Sequence, residues 1–60
     1  MKAEDKIELI AKLTIAKIEL LKLKSTNGGY DFHLIGEENQ DQVNKSLEEI
    51  SLLLSQLRTN

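Results

Sequence analysis

The sequence predicts an all-α fold in which two helices form a two-helix hairpin and two hairpins dimerise into an antiparallel four-helix bundle. The composition is one reason, because 40% of the 60 residues are hydrophobic, only 3% are aromatic and proline is absent. The spacing is another, because apolar residues recur every three or four positions on both sides of Gly28-Gly29. Size is the third, because so short a chain has a marginal core and, without cysteine, no disulfide, so we expect self-association to stabilise it.

The first helix is predicted over residues 3–24. Acidic Glu4 and Asp5 lie in its first turn and basic Lys22 and Lys24 in its last, which complements the helix dipole at both ends. The segment 25–29 follows, and its Asn and Gly residues tolerate the left-handed conformation that terminates helices.

Two apolar stripes run along this first helix. The leucine seam repeats at alternating steps of four and three and consists of Leu9, Leu13, Ala16, Leu20 and Leu23. The isoleucine stripe consists of Ala3, Ile7, Ile10, Thr14, Ile18 and Leu21. One other helix covers only one stripe, so the other stripe requires a second chain. We assign the leucine seam to the oligomer interface and the isoleucine stripe to the hairpin.

The connector is predicted over residues 25–37. Tyr30, Phe32 and Leu34 alternate with more polar neighbours and would share one side of an extended segment. Two interpretations remain open. The segment forms a short strand paired with its symmetry mate, or it forms an extended strap whose aromatic residues cap the open end of the bundle; we favour the strap.

The second helix is predicted over residues 38–58 and carries a single apolar seam. That seam repeats at the same alternating steps and consists of Val43, Leu47, Ile50, Leu54 and Leu57. Asn39 or Asp41 is the expected N-cap. Acidic residues at the start and Arg58 at the end complement the helix dipole.

The single histidine and the acidic residues near it are the candidates for metal or acid–base chemistry. His33 has acidic neighbours in Asp31, Glu37 and Glu38. A catalytic or metal site needs a third group and a shaped cavity, which we do not find, so we interpret His33 as a surface or end-capping residue. The acidic residues also lack the order of a calcium loop. We therefore expect no enzymatic activity, no metal and no cofactor.

Charge is distributed unequally along the chain, whose net charge is −2. Residues 1–24 hold six lysines and four acidic residues, whereas residues 25–60 hold two basic and six acidic residues. An acidic half disfavours binding to phosphates, so nucleic acid is not the expected partner. A small dimeric RNA- or DNA-binding regulator remains an alternative because three lysines of the first helix share one strip: Lys6, Lys17 and Lys24.

Cellular location is inferred from two features. No run of eighteen apolar residues occurs, so we expect no membrane span. The start of the chain, residues 1–6, is charged and lacks the apolar core of a signal peptide. Both features favour a cytoplasmic protein.

The expected function is that of a small non-enzymatic protein–protein interaction module, acting as a homo-oligomer that binds one larger protein and blocks or regulates it. By analogy of class, small acidic helical proteins of this kind include phage- and mobile-element-encoded inhibitors of bacterial host proteins such as antiviral defence components. A purely structural assembly element is a further alternative. The candidate partner-binding residues are Tyr30, Asp31, Phe32, His33, Glu37 and Glu38.

Overall fold

The computed structural model describes residues 1–59, and all its regular elements are helical. Helix α1 spans Ala3–Ser25, a 3-10 turn spans Thr26–Gly29, the short helix α2 spans Tyr30–Leu34, and helix α3 spans Glu37–Thr59. The prediction of an all-α helical hairpin is confirmed. Helix α1 ends one residue later than predicted, and α3 extends one residue further at each end.

Helix α1 ends at a turn that reverses the chain. The hydroxyl of Ser25 donates to the carbonyl of Leu21 at 3.0 Å, and that of Thr26 donates to the carbonyl of Lys22 at 2.6 Å. The backbone N–H of Thr26 also donates to the Lys22 carbonyl, so the hydroxyl bonds reinforce the last turn of α1. Asn27, Gly28 and Gly29 then follow with φ of 53°, 66° and 93°, a left-handed run that Asn and Gly tolerate best.

The connector is helical, so both predicted extended forms, the strand and the strap, are wrong. Residues 30–34 form α2, and the Asn27 side-chain amide donates to the two carboxylate oxygens of Asp31 at 3.2 and 3.3 Å. That contact joins the left-handed turn to the first turn of α2. Alternation over so few residues does not distinguish a strand from one turn of helix, since Tyr30 and Leu34 also share a face at helical spacing.

Helix α3 starts earlier than the predicted N-cap residues. Gly36 has φ of 89° and redirects the chain, and its carbonyl accepts the backbone N–H of Gln40 at 2.9 Å. The predicted cap at Asn39 or Asp41 is therefore wrong. The side chains of Asn39 and Gln40 instead donate backwards: Asn39 to the carbonyl of Ile35 at 2.8 Å, and Gln40 to the carbonyls of Phe32 and His33 at 3.2 and 3.0 Å. These bonds tie α2 to α3.

The leucine seam lies inside the hairpin, and the isoleucine stripe does not. The five members of the leucine seam are all half-buried, whereas Ile7, Ile18 and Leu21 of the isoleucine stripe are exposed. The assignment of the isoleucine stripe to the hairpin is therefore wrong. Matched geometry explains the outcome, because residues 9–23 of α1 and 43–57 of α3 carry seams of equal length and identical spacing. Whether the leucine seam also contacts a second chain stays a prediction.

The hairpin is elongated and has little interior. It measures 41 × 18 × 13 Å, and its radius of gyration is 13.6 Å, against about 10 Å for a compact domain of this length. Among residues 1–59, Leu54 is the single buried hydrophobic side chain, with 4% of its surface exposed. Two helices packed along one seam leave their remaining faces uncovered.

Candidate interaction surface

A row of large apolar side chains remains exposed on the side of α1 that faces away from the leucine seam. We call it the outer face of α1 and define it as Ile7, Ile15, Ile18 and Leu21, whose side chains are 46–68% exposed. The intervening Ala11 is also exposed. Thr14 lies near the middle, and its hydroxyl donates to the carbonyl of Ile10 at 2.7 Å. Its polar group is thus satisfied within the helix, and the face is apolar from residue 7 to residue 21.

The sequence-predicted stripe differed from this face at one important position. Ile15 was absent from it, although a helical wheel at about 100° per residue places Ile15 some 60° from Ile18. The wheel thus contained the signal that identifies Ile15. Ile10 was included, and it is half-buried at the edge towards the hairpin. The outer face is therefore shifted slightly away from α3.

Helix α3 carries a smaller exposed apolar pair, Leu52 and Leu53. Their exposed fractions are 59% and 46%. Leu54, next in the chain, is buried against α1, which shows that the seam occupies a single edge of α3. An open depression lies on the same helix and is lined by polar residues: Gln42, Lys45, Ser46 and Glu49. Its lining lies within two turns of one helix, which makes it part of a surface and not an enclosed cavity.

The connector presents a second kind of surface at the closed end of the hairpin. Tyr30 and Leu34 project from one side of α2 and are 60% and 62% exposed. Of the six predicted partner-binding residues, four are exposed: Tyr30, His33, Glu37 and Glu38. The other two are half-buried and engaged within the chain, Asp31 by Asn27 and Phe32 by Lys24. Leu34 was not among the predicted residues, although its spacing of four positions from Tyr30 places both on one side of a helical turn.

Lys24 connects three parts of the hairpin. Its ammonium group donates to the side-chain carbonyl of Asn44 on α3 at 2.7 Å and lies 5.5 Å from the ring centroid of Phe32. A cation at that distance is attracted by the negative face of the ring. The predicted lysine strip is correspondingly half-buried at all three of its positions, Lys6, Lys17 and Lys24. Sequence reasoning missed the contact with Asn44, which lies twenty positions away.

The chain exposes more surface than its mass requires. Its accessible surface is 4712 Å² at a mass of 6.8 kDa. A folded monomer of that mass exposes roughly 4,000 Å², so the excess is roughly 700 Å². One partner in a standard protein interface buries about 800 Å². The excess therefore matches the area that one interface would cover.

Residues 1–59 contain neither a membrane-spanning helix nor a cluster of metal ligands. No helix in this range is long and apolar enough to cross a membrane. His33 and its acidic neighbours do not assemble into a metal-binding group, nor do other acidic residues of the described chain.

In comparisons with known proteins, no family model, curated protein or solved structure matches this chain. We therefore infer a role from the molecule's own surfaces.

Proposed function

We propose that this chain is a non-enzymatic protein–protein interaction module that acts as a homodimer, with its two hairpins forming a four-helix bundle. The observation that carries the proposal is the apolar surface left uncovered, with Leu54 the one buried hydrophobic residue of the range 1–59 and roughly 700 Å² of surface in excess. Small chains without disulfides or metals gain stability from association, because a second copy covers what one core cannot. The dimer is thus part of the fold.

The dimer binds one larger protein through the connector and the adjoining start of α3. Tyr30 and Leu34 supply exposed apolar area, and Tyr is enriched among the residues that dominate binding energy. Glu37 and Glu38 lie beside them and add negative charge. A partner with an apolar groove bordered by basic residues fits this combination.

The biological setting proposed is inhibition in the bacterial cytoplasm. A small acidic protein that covers a site on a larger protein blocks it without catalysis, which suits a phage or mobile-element inhibitor of a host protein such as an antiviral defence component. The support is the size of the chain, its net charge of −2 and the acidic residues concentrated in residues 25–60. Charge complementarity at such a surface favours rapid association with a basic partner.

Analytical ultracentrifugation tests the dimer. We expect a species of twice the chain mass at micromolar concentration, with dissociation on dilution accompanied by loss of helical circular dichroism. The loss follows from linkage, because a partner that binds only the folded state stabilises it by mass action. A stable, fully helical monomer at micromolar concentration would contradict the proposal.

Affinity capture from bacterial lysate tests the partner surface. We expect the tagged wild-type chain to retain a specific protein that the double variant Tyr30→Ala/Leu34→Ala loses, because both side chains project freely from α2. Leu52→Ala serves as the control, since it removes a similarly exposed side chain from α3. Phe32 is left intact because its contact with Lys24 is internal. Identical captures with all three baits would count against the connector as the binding surface.

A further inference from the structure

Four apolar positions along the outside of α1 are symmetric about Thr14, whereas Ile15, whose counterpart is Leu13 of the leucine seam, lies beside this symmetric row. Ile10 and Ile18 lie four positions before and after it, and Ile7 and Leu21 lie seven positions before and after it. All of these residues lie on the outward half of the helix or at its edge. A row with this symmetry matches itself when a second copy runs in the opposite direction, which is the requirement for a two-fold interface.

From this symmetry we infer that α1 binds α1 of a second copy in an antiparallel, two-fold contact centred on Thr14. Each position then lies opposite the position equally far beyond Thr14 in the other chain. Ile7 meets Leu21 of the second copy, and Ile10 meets Ile18 of the second copy. The inference rests on the proposed dimer and specifies its surface and orientation. The two α1 helices make this contact, and each α3 helix packs on its own α1 outside it.

Flanking charges favour the antiparallel direction. Glu4 and Lys22 are exposed and eighteen positions apart, which is about five full helical turns, so both lie on the same flank of the symmetric row centred on Thr14. In an antiparallel pair Glu4 comes within about 3 Å along the axis of Lys22 of the second copy. Symmetry gives two such pairs. A parallel two-fold pair would instead place Glu4 at the opposite end of the contact from Lys22 of the second copy, so neither opposite-charge pair would form.

Packing at the centre permits close approach. Thr14, at the centre of the contact, has a small side chain, so two helix axes can come within about 8–10 Å of each other. The Thr14 hydroxyl is already bonded to the carbonyl of Ile10 at 2.7 Å and brings no unsatisfied polar group into the contact. The excess surface of roughly 700 Å² is close to the area that each partner of a standard interface buries.

Site-specific crosslinking tests the contact, and the chain suits it because it has no cysteine of its own. Single variants Thr14→Cys, Ile7→Cys and Leu21→Cys are treated with a thiol-reactive crosslinker that spans roughly 10 Å, the separation of packed helices. Thr14→Cys is expected to crosslink to itself. Ile7→Cys and Leu21→Cys are not expected to do so alone, because each lies about 21 Å from its own symmetry mate. Mixed and refolded together, they are expected to crosslink to each other.

Lys12→Cys is the matched control. Its side chain is 71% exposed and lies away from the outer face, so no crosslink is expected. Self-crosslinking of Ile7→Cys and Leu21→Cys, without mixed products, would establish a parallel contact and overturn the inference. A dimer in sedimentation with no crosslink at any of the three positions would place the interface elsewhere and also overturn it, while the proposed dimer would stand. A monomer in sedimentation would refute both.

Charge reversal provides a second test that requires no crosslinker. Glu4→Lys creates two like-charged pairs in the antiparallel contact and is expected to raise the dissociation constant about tenfold at low salt. Glu4→Lys/Lys22→Glu restores opposite charges across the contact and is expected to recover the wild-type constant. Both positions are exposed, so circular dichroism should show unchanged helicity in conditions where each variant is dimeric. Failure of the double variant to recover affinity would contradict the antiparallel pairing.

Discussion

At the scale of single residues, Lys24 shows what a local pattern does not encode. The sequence placed Lys24 on a strip with Lys6 and Lys17, and the structure places its ammonium group 2.7 Å from the side-chain oxygen of Asn44 and 5.5 Å from the Phe32 ring centroid. The partner lies twenty positions along the chain. The pairing of Lys24 with Asn44 depends on the length of the turn and on the way in which α1 and α3 cross. The spacing of lysines along α1 determines neither.

Removing the charge of Lys24 is expected to loosen the closed end of the hairpin. Lys24→Met keeps much of the apolar stem but removes the donor, and we expect a loss of about 1 kcal/mol in the free energy of unfolding, the usual worth of one such hydrogen bond. Urea titration followed by circular dichroism measures it at a fixed protein concentration. Lys45→Met, on exposed α3, should change it by less than about 0.5 kcal/mol.

A double-mutant cycle with Asn44→Ala isolates the contact. If Lys24→Met costs as much in the Asn44→Ala background as in the wild type, the hydrogen bond contributes nothing and the observed loss belongs to the Phe32 contact or to packing. We expect the Phe32 contact to contribute less to the free energy of unfolding than the hydrogen bond to Asn44, because a partly exposed cation–π pair is worth about 0.5–1 kcal/mol.

At the scale of elements, hydrophobic spacing was sufficient to predict the two long helices and insufficient to orient α1. Both stripes of α1 recur at helical spacing, so each was able to face α3. The choice follows from a relation between elements, namely that residues 9–23 and 43–57 present seams of equal length. The prediction for the connector failed for a different reason. Three consecutive positive φ values at residues 27–29 set the direction of the chain, and alternation at residues 30–34 suggested an extended strap or strand where a helical turn forms.

The seam of α3 is expected to carry most of the stability of the hairpin. Leu54→Ala removes the one buried hydrophobic side chain of the described residues, and we expect it to cost about 2–5 kcal/mol. Leu52→Ala makes the same chemical change two positions away at a side chain that is 59% exposed, and we expect a change within about 0.5 kcal/mol. Thermal unfolding of the two variants at equal concentration compares them directly. Equal destabilisation would mean that the far side of α3 is also covered in solution.

At the scale of the whole molecule, the hairpin is too extended to enclose a core. The radius of gyration of 13.6 Å and the surface of 4712 Å² both exceed the values for a compact chain of this length. The sequence indicated this outcome, since α1 carries two apolar stripes and the chain offers a single long helix to cover them. It did not indicate which stripe would remain uncovered, and therefore did not locate the candidate surface.

Association and folding are accordingly expected to be coupled, and a pair of matched variants tests the coupling. The melting temperature of the wild type should rise with protein concentration between about 1 and 100 μM, because dimer formation stabilises the folded state by mass action.

Ile18→Asp places a charge on the outer face of α1, where burial in a dimer would desolvate it. We expect this variant to show weaker helical circular dichroism than the wild type and no melting temperature that rises with concentration in this range. Leu53→Asp is the control, because Leu53 on α3 is 46% exposed and Ile18 is 47% exposed. It should retain the dependence on concentration, since the α3 helices lie outside the contact. If Leu53→Asp abolished the dependence and Ile18→Asp preserved it, the second copy would bind to α3 instead of α1.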